Sequence, residues 1–406
     1  MRTIEQTIEE EQRSSRRFAD RACPICGALP RKLLFRQAFE QLSVARLMAG
    51  YDVVVCGECG AGFADHIPPQ AVFDAYYRDL SKYEDGRIDA GPQPVEQRLL
   101  DTGRIIESFI PSKDARVLEV GCASGGLLKA LFDRGFHNLL GVDPSPGCVR
   151  AAREFYGISA IAATLFTVPG PEIPYDFLIL TGVLEHIPDL AGALAQFHRL
   201  LRPNGRVYLE VPDASRYDSS LDAPFQEFSI EHINFFSHTS LANLMHTHGF
   251  CSVETGLKTS PQREVSCPAA YGVFEKTSQS RPWDFDAATE AGLRLYIAGC
   301  EGEDRRIRDR IRKSLSPDER MIVWGTGTHT LRLLATGGLV PERIAAFVDS
   351  NANYQNQDLC GIPVVSPQEI RGRAEPILVS SRSCQNAIHR QIRDEMVLPN
   401  RVILLY

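Results

Sequence analysis

Short apolar runs alternate with helical hydrophobic periods along most of the chain, and the alternation begins after a polar start. Residues 1 to 20 are charged throughout and read as a frayed helical lead. A helical period runs from Val95 to Ile110 and is ended by Pro111. The apolar run RVLEV then passes through a glycine-bearing turn into LLKALF, the strand-turn-helix start of a doubly wound α/β fold. LLGVD marks a second strand, a third falls near residues 158 to 163, and YDFLILTG is a fourth. LLRPNGRVYLEVPD reads as helix, Pro-Asn-Gly turn and fifth strand. Two further runs, CSVETGLK and AAYGVFEK, complete an expected seven-stranded sheet.

The pattern restarts from about residue 278. A long amphipathic helical stretch leads into the strand MIVWG, a second glycine turn at Gly325 and Gly327, and an apolar helix. AAFVDSN puts Asp349 at the end of the next strand, and PILVS and VILLY continue the alternation. This is the signature of a second, smaller Rossmann-like α/β domain.

Length and charge bound the possibilities. At 406 residues the chain has room for two or three domains, each with its own core. A net charge of −7 argues against a general nucleic-acid binder. The charged N-terminus has no apolar signal core and no later stretch is long enough to cross a bilayer, so a cytoplasmic protein without a membrane partner is expected.

Four of the eleven cysteines form two Cys-x-x-Cys pairs, Cys23 with Cys26 and Cys56 with Cys59. A glycine follows each pair and lets the backbone turn so that both sulfurs converge on one ion. Four thiolates suit a closed tetrahedral structural zinc site; unligated or redox-active thiols are the other reading. A strand-rich insert is expected between the pairs. The expected organisation is a zinc-binding module over residues 1–75, a cofactor domain over 76–277 and the C-terminal Rossmann-like domain over 278–406.

The first glycine turn has an acid ahead of it. Glu119 lies two places before Gly121, and Gly125 closes the turn, in place of the Gly-x-Gly-x-x-Gly that seats a pyrophosphate. An acid there suits a cationic ligand. Asp143 ends the second strand, where a carboxylate can accept both hydroxyls of a ribose. Thr181 ends the fourth strand and Glu185 and His186 follow it, at the sheet edge where ligands bind. His186 has three readings: catalysis, a helix cap, or the partner of a buried carbonyl. Tyr77 and Tyr83, ahead of the first strand, either contact the cofactor or pack two domains together. Residues 213 to 237 form a long aromatic loop, expected to be functional because it leaves the same edge.

The turn around Glu119, with Asp143 in register, resembles the class I S-adenosylmethionine methyltransferase motifs. The resemblance implies that Glu119, Gly121 and Gly125 hold the methionine moiety and Asp143 the ribose, with Tyr83 and Thr181 as further contacts. The order of parts, paired Cys-x-x-Cys, this domain with its EHINFFS loop, then VWGTGTHT, resembles the zinc-containing nucleotide-sugar C-methyltransferases over nearly the whole chain. That family's Glu-His before an aromatic pair and Ser matches Glu231, His232, Phe235, Phe236 and Ser237. A nucleotide-linked keto-deoxysugar is then the implied partner, held with help from the C-terminal domain. His232 is the expected base that takes a proton from the carbon beside the ketone, and Glu231 orients it or the sugar. Thr328 and His329 face phosphates in this reading; use of the second glycine turn for packing is the alternative. Two departures leave the acceptor open. The fourth strand continues as TGVLEHIPD where the family has an Asn-rich version ending in Ala-His, and the family's Tyr-x-Tyr-x-Ser is missing near residue 77. Methylation of a hydroxyl or amine, on a sugar or another small metabolite, is the alternative.

Overall fold

The computed structural model describes residues 18–42, 47–79, 94–219, 222–262 and 265–406. The N-terminal unit is an antiparallel sheet of β1 (Arg31–Ala38), β2 (Gly50–Cys56) and β3 (Gly62–Asp65). The first cysteine pair precedes β1, and the second runs from Cys56 at the end of β2 to Cys59 in the turn toward β3. Helices α1 (Gln70–Asp79) and α2 (Gln97–Glu107) follow, so the boundary expected at residue 75 falls inside α1.

The central unit runs β4 (Val117–Val120), α3 (Gly126–Phe132), β5 (Leu139–Asp143), α4 (Pro146–Tyr156), β6 (Ala160–Ala162), β7 (Tyr175–Thr181), α5 (Leu190–Leu200) and β8 (Leu201–Pro212). It closes with β9 (Asn234–Phe235), α6 (His238–Thr247), β10 (Phe250–Gln262) and β11 (Val265–Lys276). Seven of these strands make one sheet in the order β10-β11-β8-β7-β4-β5-β6, parallel except for β11, which runs antiparallel to both of its neighbours β8 and β10. Helices cover both faces, which is why β4 and the centre of β7 are buried at every position without alternation, Glu119 of β4 included. The Pro203-Asn204-Gly205 turn lies within β8, not ahead of it. Register against β7 jumps there from Tyr175 opposite Leu201 to Phe177 opposite Arg206, and Asn204 takes a left-handed conformation at φ +58°.

The C-terminal unit starts with α7 (Ala287–Ser314), then β12 (Met321–Trp324), α8 (Thr328–Ala335), β13 (Ile344–Val348), β14 (Asp358–Leu359) and β15 (Ile362–Val365). It ends with β16 (Ile377–Val379), α9 (Gln385–Arg390) and β17 (Val402–Leu404), in sheet order β14-β15-β13-β12-β16-β17. Its glycine turn is a copy of the first. Gly121 donates to Val142 O and Gly325 to Val348 O at 2.7 and 2.8 Å. Asp143 accepts from the amides of Ala123 and Ser145, and Asp349 from those of Thr326 and Asn351, all at 2.9 Å.

One core joins the three units. Strand β9 adds to the N-terminal sheet beside β3. In the aromatic loop, Tyr217, Phe225, Phe228, Phe235 and Phe236 are all almost completely buried. Phe225 stacks on Phe35 of β1 at 4.5 Å, and Phe228 meets Tyr296 of α7 edge-on at 5.1 Å. Burial of each such ring contributes about 2 to 3 kcal/mol. The loop's aromatic residues are therefore structural, and its polar residues are the ones left for chemistry.

Candidate functional site

Glu119 sits near the carboxyl end of β4 and is only 2% exposed. Burial first, and Asp143 second, push its carboxyl up from the ordinary range to about 8, against a smaller pull from Arg98. Its Oε2 has no hydrogen-bond partner among the described residues. A carboxyl in this state is neutral until a cation arrives. Gly121 follows at φ +75°, and a Cβ there would lie 2.5 Å from Val183 Cγ2, so the turn needs glycine on both counts. Gly125 is the left-handed cap of α3 at φ +81°. Asp143 is fixed by its two backbone donors at the end of β5, across the turn from Glu119. Thr181 closes β7, paired with Glu210 of β8. Tyr83 lies outside the described residues.

The other half of the site faces this edge from two segments. The first is the single turn Leu184–His186 after β7, and the second is the loop before α6. His186 and His232 meet with ring centroids 5.0 Å apart. His186 Nδ1 lies 3.0 Å from Glu231 O, and His232 Nδ1 lies 3.3 Å from Glu227 O. A ring nitrogen of each histidine and a carboxylate oxygen of Glu185 all lie within 4.8 Å of one another. Tyr77 of α1 packs edge-on against His186 at 5.8 Å. Glu231 accepts from Tyr76 Oη at 3.0 Å. His186 thus faces a backbone carbonyl through Nδ1, and the following helix α5 is capped by Asp189.

Residues far apart in sequence lock these segments together. Asn234 Nδ2 donates to Leu184 O and Ile187 O at 2.8 and 2.9 Å, and the Ile233 amide donates to Glu185 O at 2.9 Å. Arg21 donates to Pro188 O at 2.9 Å and to Asn234 Oδ1 at 2.8 Å. From the N-terminal sheet, Gln37 Nε2 donates to Phe228 O and Tyr51 Oη to Ser229 O, at 2.8 and 2.9 Å. From α7, Tyr296 Oη accepts from the Glu227 amide at 2.9 Å. Arg21, Tyr76, Glu227 and Asn234 carry no local sequence signal, because each works on a partner brought in by the fold.

The four cysteine sulfurs lie within 4.8 Å of one another, with Cys23 to Cys59 at 3.6 Å and Cys26 to Cys56 at 3.5 Å. A tetrahedral ion with metal–sulfur bonds of about 2.3 Å needs edges of about 3.8 Å, so this donor set fits one. The hydrogen bond from Cys59 favours the thiolate at Cys23. Gly27 and Gly60 take the positive φ that their turns require. The second knuckle also touches the rest of the molecule, since the Asp286 amide donates to Cys59 O at 2.8 Å.

The second glycine turn repeats the internal hydrogen bonds of the first and adds a hydroxyl donor. Both the amide and the hydroxyl of Thr326 donate to Asp349 Oδ2. His329 does not face outward toward phosphates: it is 3% exposed, 3.1 Å from Tyr406 Oη, and pushed down to about 4 by burial and then by Arg332. A neutral buried imidazole is a packing element.

Comparisons with known proteins find a methyltransferase domain in this part of the chain. Residues 95–255 match the family model described as methyltransferase domain, and residues 317–403 match one described as C2185-like, N-terminal. The chain is 26% identical over 343 residues to the C-methyltransferase NovU of Streptomyces niveus, across 79% of this chain and 77% of that protein. It is 34% identical over 113 residues to a ubiquinone biosynthesis O-methyltransferase of Xylella fastidiosa, covering 26% of this chain and 44% of the relative. Among solved structures, the 1,6-didemethyltoxoflavin-N1-methyltransferase of Burkholderia thailandensis is 22% identical, with a TM-score of 0.42 over 55% of this chain and 97% of its own. With a methyltransferase domain in the middle of the chain and similarity to a C-methyltransferase along most of it, this protein is a class I S-adenosylmethionine-dependent methyltransferase.

Proposed function

We propose that the chain methylates a carbon next to the ketone of a nucleotide-linked deoxysugar in the cytoplasm, with a structural zinc ion held by Cys23, Cys26, Cys56 and Cys59. The observation that carries this reading is the pair of histidines 5.0 Å apart, each with Nδ1 against a backbone carbonyl. A proton on Nδ1 leaves Nε2 as the basic nitrogen. A carbon acceptor has no lone pair, so a base must first take its α-proton, and the enolate oxygen then needs a donor. His232 is that base. His186, when protonated, is a donor for the oxygen, and the Glu185 carboxylate lies 3.8 Å from its Nε2. Glu231, tied to Tyr76, binds the sugar. S-adenosylmethionine supplies an electrophilic methyl group when bound; Glu119, Gly121 and Gly125 hold its methionine portion and Asp143 its ribose, with Thr181 and Tyr83 beside them. The similarity to a C-methyltransferase over most of the chain supports this choice of acceptor atom.

The test is solvent exchange. In deuterated buffer a nucleotide-linked keto-deoxysugar should lose its α-proton, and His232→Ala should abolish the exchange while S-adenosylmethionine still binds. Exchange that survives the substitution removes His232 from the role of base. Transfer to a hydroxyl is the second reading, favoured by the similarity of a 113-residue stretch to an O-methyltransferase. NMR of a transferred labelled methyl, attached to carbon or to oxygen, decides between them.

A further inference from the structure

We infer that Glu227 is a positioning residue for His232, its carbonyl setting the tautomer and its carboxylate holding the charge the imidazole acquires. The inference rests on His232 being the base. Glu227 lies in the single turn Gln226–Phe228 and is 7% exposed. Its carbonyl oxygen is 3.3 Å from His232 Nδ1, and its Oε2 is 4.0 Å from the same nitrogen. One residue therefore addresses a single ring nitrogen twice. The carbonyl can only accept, so the proton resides on Nδ1 and the lone pair on Nε2. When Nε2 takes the α-proton, the C–H bond breaks, an N–H bond forms and the electron pair passes into the enolate. The ring is then a cation, and a buried carboxylate 4.0 Å from Nδ1 favours it far more than one in water would.

The surroundings keep Glu227 in place. Its amide is held by Tyr296 of α7, the Phe225 amide donates to Cys300 Sγ at 3.1 Å, and Phe228 O is taken by Gln37 of β1. Among the described residues, the other titratable groups around His232 include Glu231 from its own loop, bound by Tyr76 of α1, and Glu185 and His186 from the turn after β7. Tyr77 of α1 stands behind His186. Tyr217, buried near Glu227 and Glu185, is held well above the usual phenol range by burial and then by those acids, so it brings no competing charge.

The experiment compares the parent protein with Glu227→Gln and Glu227→Asp. Histidine labelled with carbon-13 gives a His232 titration by NMR, its signal identified by its absence in His232→Ala, and α-proton exchange is followed against pH in the same samples. In Glu227→Gln the His232 titration and the matching limb of the exchange profile should move about one pH unit lower, and the plateau rate should fall at least about tenfold. S-adenosylmethionine affinity within about twofold of the parent reports an intact fold. Glu227→Asp keeps the charge at longer reach and should fall between, and it carries the test if the glutamine variant does not fold. A His232 titration that stays put in the folded variants overturns the inference. Absence of exchange in the parent with every keto-sugar offered overturns the acceptor reading instead, and the NMR shift alone then judges Glu227.

Discussion

Binding of S-adenosylmethionine should release a proton from Glu119. The folded protein raises this carboxyl from 4.5 to about 8, mainly by burial, so near neutral pH it is protonated. The methionine portion of the ligand carries positive charge, and a cation beside Glu119 favours the carboxylate. If only the ionised form binds well, affinity rises about tenfold per pH unit up to about pH 8 and then levels. From pH 6 to 8 that is up to about 100-fold, or roughly 2.7 kcal/mol. The same shift acts on stability in the absence of ligand. Because the folded value lies above the unfolded one, the folded state binds the extra proton between them. Stability is therefore intact below about pH 4.5 and falls as pH rises toward 8, by at most about 5 kcal/mol. Calorimetry in buffers of different ionisation heat counts the protons from pH 6 to 9, and Glu119→Gln is the control. The ligand's own ammonium titrates in both proteins and cancels in the difference. Equal proton release and equal pH slopes in parent and variant would refute the reasoning.

Two other predictions follow from the connections around the site. Protein purified without chelator should carry one zinc per chain, and Cys56→Ser should lose it and melt earlier, because the knuckle holds Asp286 through Cys59 O and Asp286 in turn accepts from Ser237 Oγ at 2.6 Å; much less than one equivalent of metal counts against the site. Asn234→Ala removes two hydrogen bonds from the turn that carries His186, costing about 1 to 3 kcal/mol, and should lower kcat with cofactor affinity kept. An unchanged kcat would show that the two segments stay aligned without it.

The glycine turn proposed to hold the cofactor was legible as a structural unit in the sequence because its parts are local. Glu119, Gly121 and Gly125 share one strand-turn-helix unit, and the apolar period and the glycine spacing are written in adjacent residues. Asp143 needs only the next strand. The same locality makes the second glycine turn readable as fold, yet not as use: only packing reveals that Asp349 serves Thr326 and that His329 faces inward. The acceptor half depends on pairing across long separations. His186 and His232 come from different segments, and Asn234, Arg21, Gln37, Tyr51 and Tyr296 hold those segments from three units of the molecule. Periodicity records which residues avoid water, and the long loop expected to be functional from its place at the sheet edge has its rings in the core. It does not record which buried carbonyl a given imidazole will meet. The sequence by itself therefore determined the cofactor fold and the class of chemistry, since both rest on short-range backbone geometry. Only the tertiary structure brought His186 and His232 together and set Glu227 beside His232, since these contacts exist only once distant segments pack.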